Sequence, residues 1–217
     1  MMRSKIKELL KKGALYGITD AHYSPQGNVA AVCQMLQSGI RIIQYRAKNF
    51  APDTMLEELR ELRRLTKQAG ALLIVNDHPD LCLQVQADGI HVGQDDLPVA
   101  EVRKLLGEGI IIGLSTHNRE QGQQALQTSA DYVGVGPVFP TATKPHEPVV
   151  GLEFAGYVAR KLDIAHVAIG GINEKNLPQV LEQGIKSVCM VGDLLQSPDM
   201  PAKIQRVQNL LLERCQP

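Results

Sequence analysis

Short apolar runs recur along this chain, and each gives way to a burst of small, polar or acidic residues and then to helix-like spacing. Strand-length runs fall at residues 15–19, 40–46, 72–76, 89–92, 110–114, 132–138, 166–169 and 187–191. Helical patterns cover 29–37, 52–68, 79–85, 98–106, 119–127, 152–161, 174–182 and 201–213. Several of them start near a Pro, whose missing N–H is harmless in a first turn. A strand covered on both faces reads as a near-continuous apolar run, and parallel strands need a crossover helix between them. Eight β-then-α units therefore predict a closed parallel (β/α)8 barrel, a TIM barrel, at the small end of its size range. An open doubly wound sheet is the second reading, but no G-x-G-x-x-G follows the first run. The charged amphipathic pattern of the first twelve residues predicts a short extra helix ahead of the barrel.

The 217 residues contain no Pro/Gly/Ser-rich linker, so one domain over 1–217 is expected. Lys plus Arg and Asp plus Glu number 23 each, which gives no global field to attract nucleic acid. Any anion site must be local. Cys33, Cys82, Cys189 and Cys215 show no C-x-x-C spacing, which argues against zinc and against a disulfide framework. With neither a signal-peptide core nor an apolar run of membrane length, the chain is expected to be cytoplasmic, with no membrane partner. A homo-oligomer is compatible with the sequence, although the scarcity of aromatic residues gives no hint of a large exposed interface.

In a barrel all strand C-terminal ends meet at one rim, where active sites sit. After the second run, Gln44 and Arg46 share a face because strand side chains alternate, and Lys48 joins them if the extension persists. Other ends read Thr19-Asp20, Asn76-Asp77, Gly93-Gln94-Asp95-Asp96, Ser115-Thr116-His117, Thr141-Ala142-Thr143-Lys144, Gly170-Gly171 and Val191-Gly192-Asp193. Cations, acids and glycine turns on one face suit a polyphosphate held with a hard cation. Mg2+ takes one or two carboxylates and completes its octahedron with phosphate and water oxygens. Asp77 and Asp96 are the carboxylates chosen for it, although each also stands just before a Pro-initiated helix, where Asp commonly caps. Gly170-Gly171 and the Gly192 turn occupy the positions at which barrels place a monophosphate on backbone N–H groups.

At these residues the chain resembles the thiamine phosphate synthase family. The shared motifs are Gln44-x-Arg46-x-Lys48, Val75-Asn76-Asp77, Asp88-Gly89-Ile90-His91-Val92-Gly93-Gln94-Asp95-Asp96-x-Pro98, Gly113-Leu114-Ser115, Gly136-Pro137-Val138-Phe139-Pro140-Thr141-x-Thr143-Lys144 and Gly170-Gly171-Ile172. They run in order from about Leu15 to Asp193. The resemblance implies transfer of the 4-amino-2-methylpyrimidinylmethyl group from its diphosphate to the ring nitrogen of a thiazole phosphate, giving thiamine monophosphate and pyrophosphate. By the same resemblance Gln44, Tyr45, Arg46, Ala47, Lys48, Asn76, Ser115 and Lys144 would hold the pyrimidine diphosphate, and Asp77 and Asp96 the Mg2+. Thr141, Ala142, Thr143, Gly171, Val191 and Gly192 would take the thiazole phosphate. Arg46, Lys48, Ser115 and Lys144 are the expected catalytic groups, since the reaction chiefly requires charge stabilisation on a departing pyrophosphate. His91 and His117 are then structural or peripheral.

The family usually has Val-Ser where this chain has Val191-Gly192, so a hydroxyl donor is absent and Asp193 follows. Weaker binding of the thiazole phosphate is the expectation. Three other readings compete. A sister group resembling this one tautomerises the thiazole phosphate with a His after Gly on the sixth strand, where this chain has Pro137. A phosphosugar isomerase or epimerase would need an acid–base pair, and a silent sensor would bind a thiamine intermediate without turnover.

Overall fold

The computed structural model describes residues 2–48, 50–143 and 147–213, so Lys144 and Cys215 lie outside the described residues. Helix α1 (Met2–Lys12) leads into β1 (Gly17–Ile18), and α2 (Asn28–Gln37), β2 (Ile42–Tyr45), α3 (Pro52–Gln68) and β3 (Leu72–Asn76) follow. Then come α4 (Pro79–Gln84), β4 (Gly89–Val92), α5 (Val99–Leu106), β5 (Ile111–Thr116), α6 (Arg119–Ala125) and β6 (Tyr132–Val135). The chain continues through α7 (Gly151–Lys161), β7 (Ala165–Ala168), α8 (Leu177–Glu182), α9 (Val191–Leu195) and α10 (Met200–Glu213). Among these helices none is long and apolar enough to cross a membrane.

The seven strands form one parallel sheet in sequence order, which curls around an axis as an open half-barrel. It spans 240° and its edges stand 11 Å apart, which corrects the expected closed eight-stranded barrel. The run 187–191 does not become a strand. Only Val188 bridges, to Ala168 on one side and Leu15 on the other, and from Val191 the chain winds into α9. Adjacent strands are about 4.8 Å apart, so an opening of this width admits one extended segment. Tyr16 N donates to Val188 O at 2.9 Å and Cys189 N to Ala168 O at 2.8 Å. The ladder stops there because β1 offers only two residues of regular strand and residues beyond 190 turn helical.

Alternation along the strands builds two apolar layers. Ile43, Leu73, Val75, Ile90, Ile112 and Val133 point outward against the helices. Ile42, Leu72, Ile74, Ile111, Tyr132 and Val167 point inward, where Ile6 and Leu10 of α1 join them. Helix α1 therefore fills the interior from the N-terminal ends of the strands. Its own sequence pattern, with Ile6 and Leu10 on one face of an otherwise charged helix, suits that place.

Asp131, just before β6, is fully buried and fastens that end. One carboxylate oxygen accepts from Ile112 N at 3.0 Å and from Arg103 Nη2 at 3.1 Å, and the other from Arg3 Nε at 2.7 Å. Asp88 before β4 repeats the device, accepting from Leu73 N at 2.8 Å and from both terminal nitrogens of Arg63. Removing one partner of a buried pair leaves the other charge uncompensated, which costs about 3–5 kcal/mol. Asp131→Ala is expected to lose about that much stability in denaturant unfolding, because Arg103 is left buried. Arg3→Ala, at a side chain one-third exposed, is expected to lose about 1 kcal/mol or less. Equal losses would mean that the buried charge is not what fastens α1 and α5.

Candidate active site

The upper ends of the strands are where inward-facing residues turn from apolar to polar. Above the Ile42–Leu72–Ile111 layer, the same faces carry Gln44, Asn76, His91 and Ser115. They line a cavity of about 460 Å³ that opens at the C-terminal side of the sheet. Also on its wall are Arg46, Lys48, Asp77, Asp96, Thr141, Ala142, Thr143, Gly171, Val191 and Gly192. Thus thirteen of the sixteen residues expected to hold substrate or metal, all of those just named except His91, meet at one cavity. Tyr45 does not: alternation turns it outward, where its hydroxyl donates to Glu58 Oε2 at 2.8 Å. Ala47 is buried in the outer core, and Asp95 is not among the lining residues.

A continuous polar chain crosses the floor of the cavity. Gln44 Nε2 donates to the Tyr16 hydroxyl at 3.0 Å, and the Tyr16 and Tyr132 hydroxyls lie 2.7 Å apart. Tyr132 meets His91 Nδ1 at 3.0 Å, and His91 Nε2 meets Ser115 Oγ at 3.0 Å. Burial pushes both phenols well above the ordinary tyrosine range, so they stay protonated. Gly113 makes room for this chain, since a Cβ there would stand 2.3 Å from the Tyr132 ring and 2.4 Å from His91 Nδ1. No motif in the sequence marks Tyr16, Tyr132 or Tyr23. For Tyr16 the available signal was its even spacing from Ile18 on the first apolar run, which gives both the inward face.

The two carboxylates sit in different loops. Asp77 follows β3 with φ 61°, a left-handed conformation more accessible to Asp than to most residues. Asp96 Oδ2 accepts from Gly93 N at 2.6 Å, which anchors the loop after β4. Among the described residues no cluster of three or more His, Cys, Asp or Glu could hold a metal unaided. A cation at Asp77 and Asp96 would have to take most of its shell from elsewhere, which suits Mg2+ with phosphate and water oxygens.

Across the cavity, Gly170 and Gly171 both have positive φ, 98° and 62°. A Cβ on Gly171 would lie 2.4 Å from Pro140 O, so only glycine permits the close approach of this turn to the loop after β6. Gly171 O accepts from Asn176 Nδ2 at 2.9 Å, which fixes the turn from behind. Gly192 is not among the residues with positive φ, and a Cβ there would touch only the Tyr23 ring at 3.7 Å and Gln196 at 3.9 Å. Asp193 Oδ2 stands 3.0 Å from Lys203 Nζ of α10, so its charge is offset from behind. His117 also lines the cavity, with Nδ1 2.6 Å from Gly136 O.

The sequence profile of thiamine monophosphate synthase matches residues 15–194. The thiamine-phosphate synthase of Caldicellulosiruptor saccharolyticus is 48% identical over 95% of this chain and 94% of its own, and that of Lawsonia intracellularis 45% over 91% and 92%. A thiamine phosphate pyrophosphorylase from Pyrococcus furiosus superposes with a TM-score of 0.87 at 33% identity, over 95% of this chain and 98% of that one. By sequence, by fold and by the residues gathered at its cavity, this chain belongs to the thiamine-phosphate synthase family of transferases.

Proposed function

We propose that the cavity joins a pyrimidinylmethyl diphosphate to a thiazole phosphate, forming thiamine monophosphate and releasing pyrophosphate. The observation that carries this reading is a shared wall: Arg46, Lys48, Asp77 and Asp96 line the same cavity as the Gly170–Gly171 turn and Thr141–Thr143. A cationic, carboxylate-bearing side suits a diphosphate, and a glycine turn at positive φ suits a monophosphate. Pro137 lies on the wall where a tautomerase of the sister group would need a histidine.

The reaction asks for little acid–base chemistry. An electron-rich aminopyrimidine stabilises a methylene cation, so the C–O bond breaks early and the developing charge on pyrophosphate becomes the main demand. Arg46, Lys48 and Lys144 would stabilise that charge, Ser115 would donate to the same group, and Gln44 and Asn76 would orient the pyrimidine. Tyr45 and Ala47 would contribute only through their backbone. Thr141, Ala142, Thr143, Gly171, Val191 and Gly192 would hold the thiazole phosphate, which removes the entropic cost of bringing its nitrogen to the methylene carbon. Asp77 and Asp96 would hold Mg2+, which supplies countercharge to the diphosphate oxygens. Mixing the protein with both substrates and Mg2+ tests the whole reading, with thiamine monophosphate as the readout.

Three outcomes follow from the residue roles. Chelation is expected to stop turnover, and Asp77→Ala or Asp96→Ala to abolish it with thermal unfolding unchanged, whereas Asp95→Ala costs much less. Full activity in chelator would remove the metal assignment.

Arg46→Ala and Lys144→Ala are each expected to lower kcat by about 10²-fold, the cost typical of a lost oxyanion donor. A rise in KM alone would show that these cations bind the ground state and not the departing pyrophosphate.

Gly192→Ser is expected to lower KM for the thiazole phosphate, by roughly tenfold for one added hydrogen bond to a charged group. The backbone conformation and the open space beside Gly192 support this substitution. A shift in KM for the pyrimidine diphosphate instead would sink the two-sided partition of the cavity.

A further inference from the structure

Arg46 sits just past the end of β2, beyond the last residue that the sheet ladder holds. The end of β1 holds it instead, and does so twice. Thr19 Oγ1 accepts from Arg46 N at 2.8 Å and donates to Arg46 O at 3.0 Å, which fixes the backbone from both directions. Arg46 Nη1 then donates to Asp20 Oδ2 at 2.6 Å, which fixes the guanidinium.

Three features separate this pair from an ordinary surface ion pair. The two side chains are only 11% and 12% exposed. Asp20 Oδ1 accepts from His22 N at 3.1 Å, so the carboxylate is itself aimed by its own turn. Arg46 lines the cavity and Asp20 does not, which puts the carboxylate behind the guanidinium as seen by a ligand. Asp20 takes one donor of a planar fork that carries five, and so anchors one corner of the guanidinium while other donors remain for a ligand.

We infer that Thr19 and Asp20 are positioning residues that hold Arg46 ready for the diphosphate, which makes the end of β1 part of the diphosphate site. The inference rests on the reading that Arg46 engages a diphosphate. An unclamped arginine must be ordered when the ligand arrives, and that ordering weakens binding. Here the chain settles the side chain on folding. Supporting partners of this kind commonly govern about 10- to 100-fold in affinity or activity. The clamp acts through another residue and has no contact with the reacting atoms.

The test is calorimetric binding of inorganic pyrophosphate with Mg2+, alongside KM for both substrates. Asp20→Asn keeps the acceptor for His22 N and so preserves the turn, and thermal unfolding checks that it folds. Asp20→Ala is expected to weaken pyrophosphate about tenfold and to raise KM for the pyrimidine diphosphate similarly, Asp20→Asn to fall between, and Asp20→Glu to recover part of the loss. KM for the thiazole phosphate is expected to stay unchanged, and Asp20→Ala to add nothing in an Arg46→Ala background. Unchanged or tighter pyrophosphate binding in Asp20→Ala, or additive losses in the double variant, would overturn the clamp while leaving the role of Arg46 intact. Normal pyrophosphate binding in Arg46→Ala would overturn both. Coupled losses of pyrophosphate binding in a protein that makes no thiamine monophosphate would keep the clamp and remove only the synthase reading.

Discussion

A sheet that curls through 240° encloses an interior that its own inward side chains, and whatever enters from either end, must fill. Cores pack to crystal-like density, so this requirement ranks the strand positions by height. Low on the strands, Ile42, Leu72, Ile111 and the α1 residues Ile6 and Leu10 pack without polar atoms. Higher up, Tyr16 and Tyr132, among the largest fully buried side chains, fill the space with rings whose hydroxyls need partners. Those partners are the first polar groups of the cavity. The site begins at the height where the interior can no longer be filled by hydrocarbon alone.

Fastening at the opposite end follows one device used more than once. Asp88 and Asp131 each stand immediately before an even-numbered strand, accept an N–H from the preceding strand and pair with an arginine from a helix. Ser187 plays the corresponding part before the single bridging residue, accepting from Ala14 N and donating to Leu10 O, both at 2.8 Å. Being neutral, it needs no arginine. Stability is thereby concentrated at the N-terminal ends of the strands. The C-terminal ends are left free to carry loops chosen for chemistry, the division of labour expected of barrels built from parallel strands.

Periodicity made most of this legible, and its failures have physical causes. The runs 72–76 and 89–92 coincide with β3 and β4, because a strand covered on both faces leaves an uninterrupted apolar signature. The run 187–191 carries the same signature but forms only a bridge. Apolar sequence reports burial, and a strand also requires neighbours that stay alongside, which the two-residue β1 and the onset of α9 deny it. At the site, alternation brings Gln44 and Arg46 to the cavity wall and sends Tyr45 outward, whereas the binding set implied by the resemblance takes residues 44–48 as one block. Asp20 illustrates what a sequence withholds. Its neighbour Arg46 is 26 positions away, and no local pattern tells an acid that pairs from one that merely ends a strand.

The polar chain beneath the cavity has a sense of direction. Each phenol owns a single proton, so with Gln44 donating to Tyr16, Tyr16 must pass its proton toward Tyr132 and Tyr132 toward His91 Nδ1. A neutral imidazole then carries its hydrogen on Nε2, gives it to Ser115, and leaves the serine proton free to turn toward the cavity. In that sense one wall offers the amide oxygen of Gln44 as an acceptor while the opposite wall offers a hydroxyl as a donor. Rotating the Gln44 amide would reverse every bond in the row and exchange the two roles. A ligand that selects the orientation of the Gln44 amide on β2 thus also selects the polarity of Ser115 on β5, and between those two ends only hydrogens change place.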